Sequence, residues 1–389
     1  MKVLPPAMTT AEMLARLVSF DTTSRNANLD LIAFVSAWLD QHGVAYRISH
    51  DPTGRKANVH ALIGPQVAGG VALSGHVDTV PIDGQAWSSD PFVLRAADGK
   101  LYGRGSTDMK GFVASCLAAV PALRARKLAR PVHLFITFDE ETDMGGVRRL
   151  IEDLDASQLR PDACIVGEPS LMQPILAHKG RLALNVTVRG MAAHSSEPAK
   201  GVNAVHAAAE AVAHVVAEAR RFAAEGPFVE GFDPPYTTAH VGTISGGTIL
   251  NIIPERASFT MEWRVVPGVD ALAQVAALRS WLDANLVPAM QAVDPTCGFS
   301  LDIIDNIPGL ALDADHTLAT LVKQLTGSNS TGKVSYGTEG GLYQNAGIPT
   351  IVCGPGDIAQ AHKPDEWIAQ SQLDACDGFI HRLADRLMT

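Results

Sequence analysis

Apolar positions recur every three or four residues over Thr10 to Phe20 and again over Leu29 to His42, the spacing that gathers them on one face of a helix. Beyond them the texture alternates. Val71-Ala72-Leu73-Ser74-Gly75 reads as a buried strand, Met109 to Arg126 as a helix, Val132 to Phe138 as a strand and Ala163 to Val166 as another. Strands separated by helical segments predict an α/β domain: a mostly parallel sheet flanked by helices, with loops collected at the strand ends. From Leu182 the order changes. A strand (Leu182 to Arg189) is followed by an Ala-rich helix (Asn203 to Ala223), two strands (near His240 to Ser245, and Ala257 to Val266), a helix (Asp270 to Leu286) and a strand (Cys297 to Ile304). This β-α-β-β-α-β order predicts an inserted ferredoxin-like α+β domain. A helix (Asp315 to Leu325), the apolar strand Thr350-Ile351-Val352 and a closing helix (Leu373 to Leu387) are expected to rejoin the first sheet. The expected boundaries are 1–181 and 305–389 for the first domain and 182–304 for the insertion.

Composition narrows the class. The 389 residues carry 31 Lys+Arg against 41 Asp+Glu, a formal charge of −10, which argues against a nucleic-acid or anionic-membrane partner. With 47% hydrophobic and 19% charged residues, 34 Gly and 23 Pro, the chain has the make-up of a turn-rich globular protein and not of a disordered one. Five widely spaced cysteines without a C-x-x-C pair suit a reduced, cytoplasmic compartment. Met1-Lys2-Val3-Leu4-Pro5-Pro6 does not read as a signal peptide, and no stretch reaches the length of an apolar membrane span.

Candidate chemistry sits at the strand ends. In Ser74-Gly75-His76-Val77-Asp78, the period-2 geometry of a strand points His76 and Asp78 to one face, which suits either a metal ligand oriented by a carboxylate or a plain hydrogen-bonded pair. Gly103-Arg104-Gly105-Ser106-Thr107-Asp108-Met109-Lys110-Gly111 puts Asp108 at a helix start, where it could be a ligand or an N-cap. Its glycines match neither the dinucleotide nor the phosphate-loop pattern. Asp139-Glu140-Glu141 crowds three carboxylates directly after a strand, which is costly unless cations are present or the loop is solvated. Glu168 in Gly167-Glu168-Pro169 and His362 in Gly354-Pro355-Gly356-Asp357-Ile358-Ala359-Gln360-Ala361-His362-Lys363-Pro364 complete the set. Two histidines, several carboxylates and no thiolate suit a hydrolytic two-metal site sharing one carboxylate. No G-x-S-x-G nucleophile elbow is present, which removes the serine-hydrolase alternative.

Taken in order along nearly the whole chain, these residues resemble the dizinc metallopeptidase family that includes acetylornithine deacetylase, succinyl-diaminopimelate desuccinylase, carboxypeptidase G and aminoacylase. The resemblance implies a catalytic domain with an inserted lid or dimerisation domain. It implies two zinc ions, with cobalt as a possible substitute: His76, Asp108 and Glu168 on one, Asp108, Glu141 and His362 on the other. Asp78 would orient His76, and Glu140 would be the general base for a metal-bridged hydroxide. Ala193-His194-Ser195-Ser196 resembles the loop whose His reaches across a homodimer to polarise the scissile carbonyl. In Gly246-Gly247-Thr248-Ile249-Leu250-Asn251, Asn251 is similar to a residue that helps hold the substrate carboxylate, with Arg264 as its cationic partner. Without the upstream motifs, His194 and Arg264 would read as a loop hydrogen bond and a surface charge.

Tyr336-Gly337-Thr338-Glu339-Gly340-Gly341 and Gln360 to Glu366 look like the acetylornithine deacetylase branch of the family, where the desuccinylase branch carries a Thr-Ser-Asp-Gly-Arg type sequence. Asp143 stands where many members carry Gly. The expected activity is hydrolysis of N2-acetyl-L-ornithine, with Glu339 and Gly340 as candidate substrate-binding residues and Glu339 as the candidate for the side-chain ammonium. Another N-acyl amino acid, N-succinyl-diaminopimelate, or a non-catalytic binding role are the alternatives.

Overall fold

The centre of the molecule is built from strands whose residues are buried on both faces, as their unbroken apolar runs require. The computed structural model describes residues 8–388, so the reading of Met1 to Pro6 lies outside the described residues. The chain divides into two units. The first runs to Ala177 and resumes over Leu310–Gly332 and from Thr338, while the second comprises His178–Gly309 and Lys333–Gly337. The insertion thus starts four residues earlier and ends five residues later than the expected 182–304, and it recovers a short segment from the returning chain.

Across the main sheet the strands follow the order Ala45–His50, Ala57–Ile63, Val132–Thr137, Val71–His76, Ala163–Pro169, Thr350–Gly354, Ile175–His178 and Leu310–Ala311. The four from Val132–Thr137 to Thr350–Gly354 are mutually parallel, and Ala45–His50 and Ala57–Ile63 join antiparallel at one side. Parallel strands end at a common edge, and that edge carries His76, the 138–141 turn and Glu168. Ligands of open α/β sheets bind in the crevice outside such strand ends.

Two departures from the sequence reading are informative. The helix expected over Met109 to Arg126 is two helices, Lys110–Ala118 and Val120–Ala125, with Pro121 in the first turn of the second. The helix Gly145–Ser157 was hidden behind Gly145-Gly146. Gly146 is required there, because a Cβ would sit 2.3 Å from the Phe138 carbonyl oxygen.

In the second unit the strands Thr238–Gly246, Arg256–Val265, Gly180–Arg189 and Gly298–Ile307 form, in that order, a fully antiparallel sheet. This is the ferredoxin-like arrangement that the β-α-β-β-α-β order predicts. Leu182, Leu184, Val186 and Val188 alternate onto the face covered by the helices Ala204–Glu225 and Ala271–Asn285. Asn203 and Asp270 cap those helices. Among the described residues no helix is long and apolar enough to cross a membrane.

Candidate metal centre

His76 ends its strand fully buried. Its Nδ1 lies 3.0 Å from the Asp78 carbonyl oxygen and 3.4 Å from the Asp78 carboxylate, which leaves Nε2 to face the site. Nε2 is 3.1 Å from Asp108 Oδ1 and 3.6 Å from Glu168 Oε1. The other oxygen of Asp108, Oδ2, is 3.2 Å from His362 Nε2, which also lies 3.1 Å from Glu141 Oε1. Each oxygen of Asp108 therefore addresses a different histidine. The N-cap position of the following helix belongs to Met109, so Asp108 is not spent on capping.

Asp78 has two tasks. Besides facing His76, its carboxylate accepts from the backbone N–H of Glu140 at 3.1 Å and of Glu141 at 3.2 Å, and from the Ser24 hydroxyl at 2.8 Å. Asp139, just before them, adopts a left-handed φ of 58° and pairs with Lys56. This turn sends Glu141 to His362. It leaves the Glu140 carboxylate 4.0 Å from His76 Nε2, beside the ligands but bonded to none of them.

Electrostatics reflect the crowding of these groups. Burial, and then the charges of neighbouring carboxylates, push Glu140 and Glu168 well above the usual carboxylate range. Burial alone would lower His76, yet its bonds to Asp108 and Asp78 raise it well above its ordinary value. His362 is pushed up to about 10 by Asp108 and Glu141. In each of the trios His76, Asp108, Glu168 and Asp108, Glu141, His362, one ligand atom per residue lies within 4.8 Å of the others. An all-nitrogen and oxygen donor set with one shared carboxylate fits two divalent ions.

Two expected assignments need correction. Glu339 is 1% exposed and lies against the strand that carries His76, where it accepts from the Ser74 hydroxyl at 3.1 Å. Ser74 is in turn 2.9 Å from the Tyr343 hydroxyl, and burial raises Glu339 to about 7. It supports the floor of the site and offers no accessible carboxylate to an ammonium. Gly340 is buried beside it, its N–H donating to Thr338 Oγ1 at 3.0 Å. The second correction concerns Asn251 and Arg264. The pairing of Gly246 with Ala257 puts the Asn251 loop at one end of its hairpin, and the pairing of Thr238 with Arg264 puts Arg264 at the other. Seven residues of strand separate Ala257 from Arg264, roughly 24 Å. Within one chain they cannot grip the same carboxylate.

His194, in the same unit, is joined to the Asn251 loop by a bond from Ser195 N to Asn251 O of 3.1 Å. Its Nδ1 accepts from Ser196 N–H at 3.2 Å and lies 2.7 Å from the Ser196 hydroxyl, so Nε2 is the nitrogen turned away from this loop contact. Arg264 is held by Glu262 at 3.0 Å.

Ser24 and Lys56, which hold Asp78 and Asp139, lie outside every motif of the sequence, whereas Arg104 and Glu366, an ion pair at 2.8 Å, lie inside two of them.

A model described as peptidase family M20/M25/M40 matches residues 72–386. Among solved structures, aminopeptidase PepT from Bacillus cereus has a TM-score of 0.73 at 18% identity, covering 99% of this chain and 100% of that one. An M20 family metallo-carboxypeptidase from Sulfolobus solfataricus gives 0.74 at 16%, covering 98% and 99%. A Bacillus subtilis protein described as a dinuclear metal binding peptidase of the M20 family gives 0.64 at 15%, covering 97% and 98%. At such identities the likeness to these structures is one of fold.

Proposed function

Since the chain belongs to peptidase family M20/M25/M40 and is a metal-dependent hydrolase, we propose that it hydrolyses the amide of N2-acetyl-L-ornithine to L-ornithine and acetate, a step of arginine biosynthesis in the cytoplasm, with zinc as the metal. The observation that carries the hydrolytic part is the pair of ligand trios sharing Asp108, with Glu140 beside them and bonded to none of them. Two divalent ions held there supply Lewis acidity, lowering the pKa of water and polarising a carbonyl oxygen. Glu140 takes the proton from the attacking water and returns it to the leaving α-amine. Bonded to none of the ligand atoms, its carboxylate is free to move a proton between the two. Asp78 holds the Glu140–Glu141 turn and the ring of His76 in register.

The remaining binding groups are assigned to a homodimer formed through the second unit. His194 Nε2, turned away from its own loop, stabilises the oxyanion of a partner's substrate. Asn251 and Arg264, too far apart within one chain, serve one carboxylate if each comes from a different copy. Arg264 supplies the planar guanidinium suited to it. The exposed apolar tip of the Asn251 loop, with Leu250 96% exposed, supports a buried role in the assembly. The choice of acetylornithine is supported by the resemblance of the Tyr336 to Gly341 and Gln360 to Glu366 segments to that branch of the family.

The test is amine release from N-acetyl-L-ornithine, N-acetyl-L-methionine and N-succinyl-L,L-diaminopimelate by metal-stripped protein, with and without added zinc. Zinc-dependent release favouring acetylornithine is expected. Preference for another substrate would replace the substrate and keep the mechanism, and a zinc-loaded dimer without hydrolysis would return the chain to a binding role.

A further inference from the structure

Three loops of the first unit meet at one buried ion pair. Arg104 and Glu366 have side chains 1% exposed, with Nη1 2.8 Å from Oε2. Glu366 does more than neutralise the arginine. Its Oε2 also accepts from Gly105 N–H at 2.9 Å, and its Oε1 accepts from the N–H groups of Thr107 at 2.9 Å and Asp108 at 3.1 Å. One carboxylate thus ties down the backbone that presents Asp108.

The other end of the guanidinium reaches a second loop. Arg104 Nη2 donates to Gln85 Oε1 at 2.5 Å, and Trp87 Nε1 donates to the same oxygen at 3.1 Å. Two donors on Oε1 fix the orientation of the amide. Its Nε2 therefore points at the third loop and donates to the carbonyl of His362 at 2.9 Å. His362 needs such a tether: its φ is 63° and its side chain is 53% exposed, so packing does little to hold it. Asp365, three residues on, accepts from Ser88 N–H at 2.9 Å and ties the same two loops again.

We propose that Arg104, Glu366 and Gln85 form a positioning device for the metal ligands, in which Glu366 sets Asp108 for both ions and Gln85 sets His362 for one of them. The inference rests on the two-metal hydrolase reading and is independent of the substrate. A buried ion pair is a weak source of stability, since apolar residues of the same volume hold a fold at least as well. Ligand placement is a demand that apolar residues could not meet, because carboxylates and imidazoles are aimed by hydrogen bonds to their surroundings.

Zn2+ titration of metal-stripped protein against a competing chelator resolves the two affinities without reference to turnover. Gln85→Met keeps the volume of a half-buried side chain but has no N–H for His362. It should weaken the affinity for the ion held by His362 by about 10- to 100-fold, the size typical of a lost partner behind a ligand, and the other by less, through the lost Arg104 contact. Glu366→Gln should weaken both. Thermal unfolding of the metal-free proteins checks that the variants fold, and Gln85→Met decides the matter if Glu366→Gln does not. Two parental affinities in folded Gln85→Met would overturn the inference while leaving the hydrolase reading intact. A parent protein that binds no Zn2+ would overturn both.

Discussion

At Glu140 and Glu141 the proposed roles of base and ligand are separated by the shape of one backbone turn. Asp139 in its left-handed conformation and Asp78 beneath the two N–H groups aim adjacent, chemically identical side chains at different tasks. Glu140→Ala is therefore expected to keep both metal ions and lose turnover by about 10²–10⁴-fold, the usual worth of a general base. His362→Ala should lose one ion along with activity. Metal analysis beside turnover separates the two, and an active Glu140→Ala protein would end the assignment. Protonation adds a second prediction. In the metal-free protein, Asp108 and Glu141 hold His362 at about 10 against an ordinary 6.5. The proton's contribution to stability is thus complete below about 6.5 and is lost as pH rises through 10. A metal ion must displace that proton. Its apparent affinity should climb with pH by up to about tenfold per unit for each proton displaced, read by chelator competition between about pH 6 and 9. A flat profile would contradict the ligand assignment of His362.

Elements bring these residues together through close approach of strands that allow no spare atoms. Ala163–Pro169 delivers Glu168, and Thr350–Gly354, parallel to it, leads into the His362 loop. A Cβ on Gly354 would lie 1.9 Å from the Gly167 carbonyl oxygen. Gly354→Ala should consequently cost about 1–3 kcal/mol, as overpacking does, and should weaken metal binding as well. A lowered denaturant midpoint with unchanged metal affinity would show that the strands part without moving the site. Not every element was legible. Ala57–Ile63 escaped notice because Asn58 and His60 interrupt its apolar run. Both are buried with partners that lie far along the chain: Asn58 Nδ2 donates to Gly146 O at 2.8 Å, and His60 Nε2 lies 3.0 Å from His133 Nδ1. Polar residues inside a sheet read as surface until their partners are known.

At the scale of the whole molecule, the separation of Asn251 from Arg264 on one hairpin makes the dimer a requirement of the proposed substrate site. Mixing His194→Ala with Glu140→Ala, each inactive alone, should restore part of the activity, because a mixed dimer holds one site with both groups intact. Sedimentation showing a fully active monomer, or no recovery in proven mixed dimers, would refute the shared site. Read alone, the chain determined the α/β sheet, the inserted ferredoxin-like unit and the residue types of a two-metal centre. Periodicity and side-chain chemistry are local properties, and the motifs at His76, Asp108, Glu141, Glu168 and His362 each sit at the end of a legible strand or within a short loop. Tertiary structure decided what depends on distant neighbours. It buried Glu339 beneath the site, placed Arg264 away from Asn251, and gave Glu366 its partners 258 to 262 residues back along the chain. A charged residue in a motif announces its chemistry, but only the surrounding fold determines whether that charge meets solvent, substrate or the backbone of another loop.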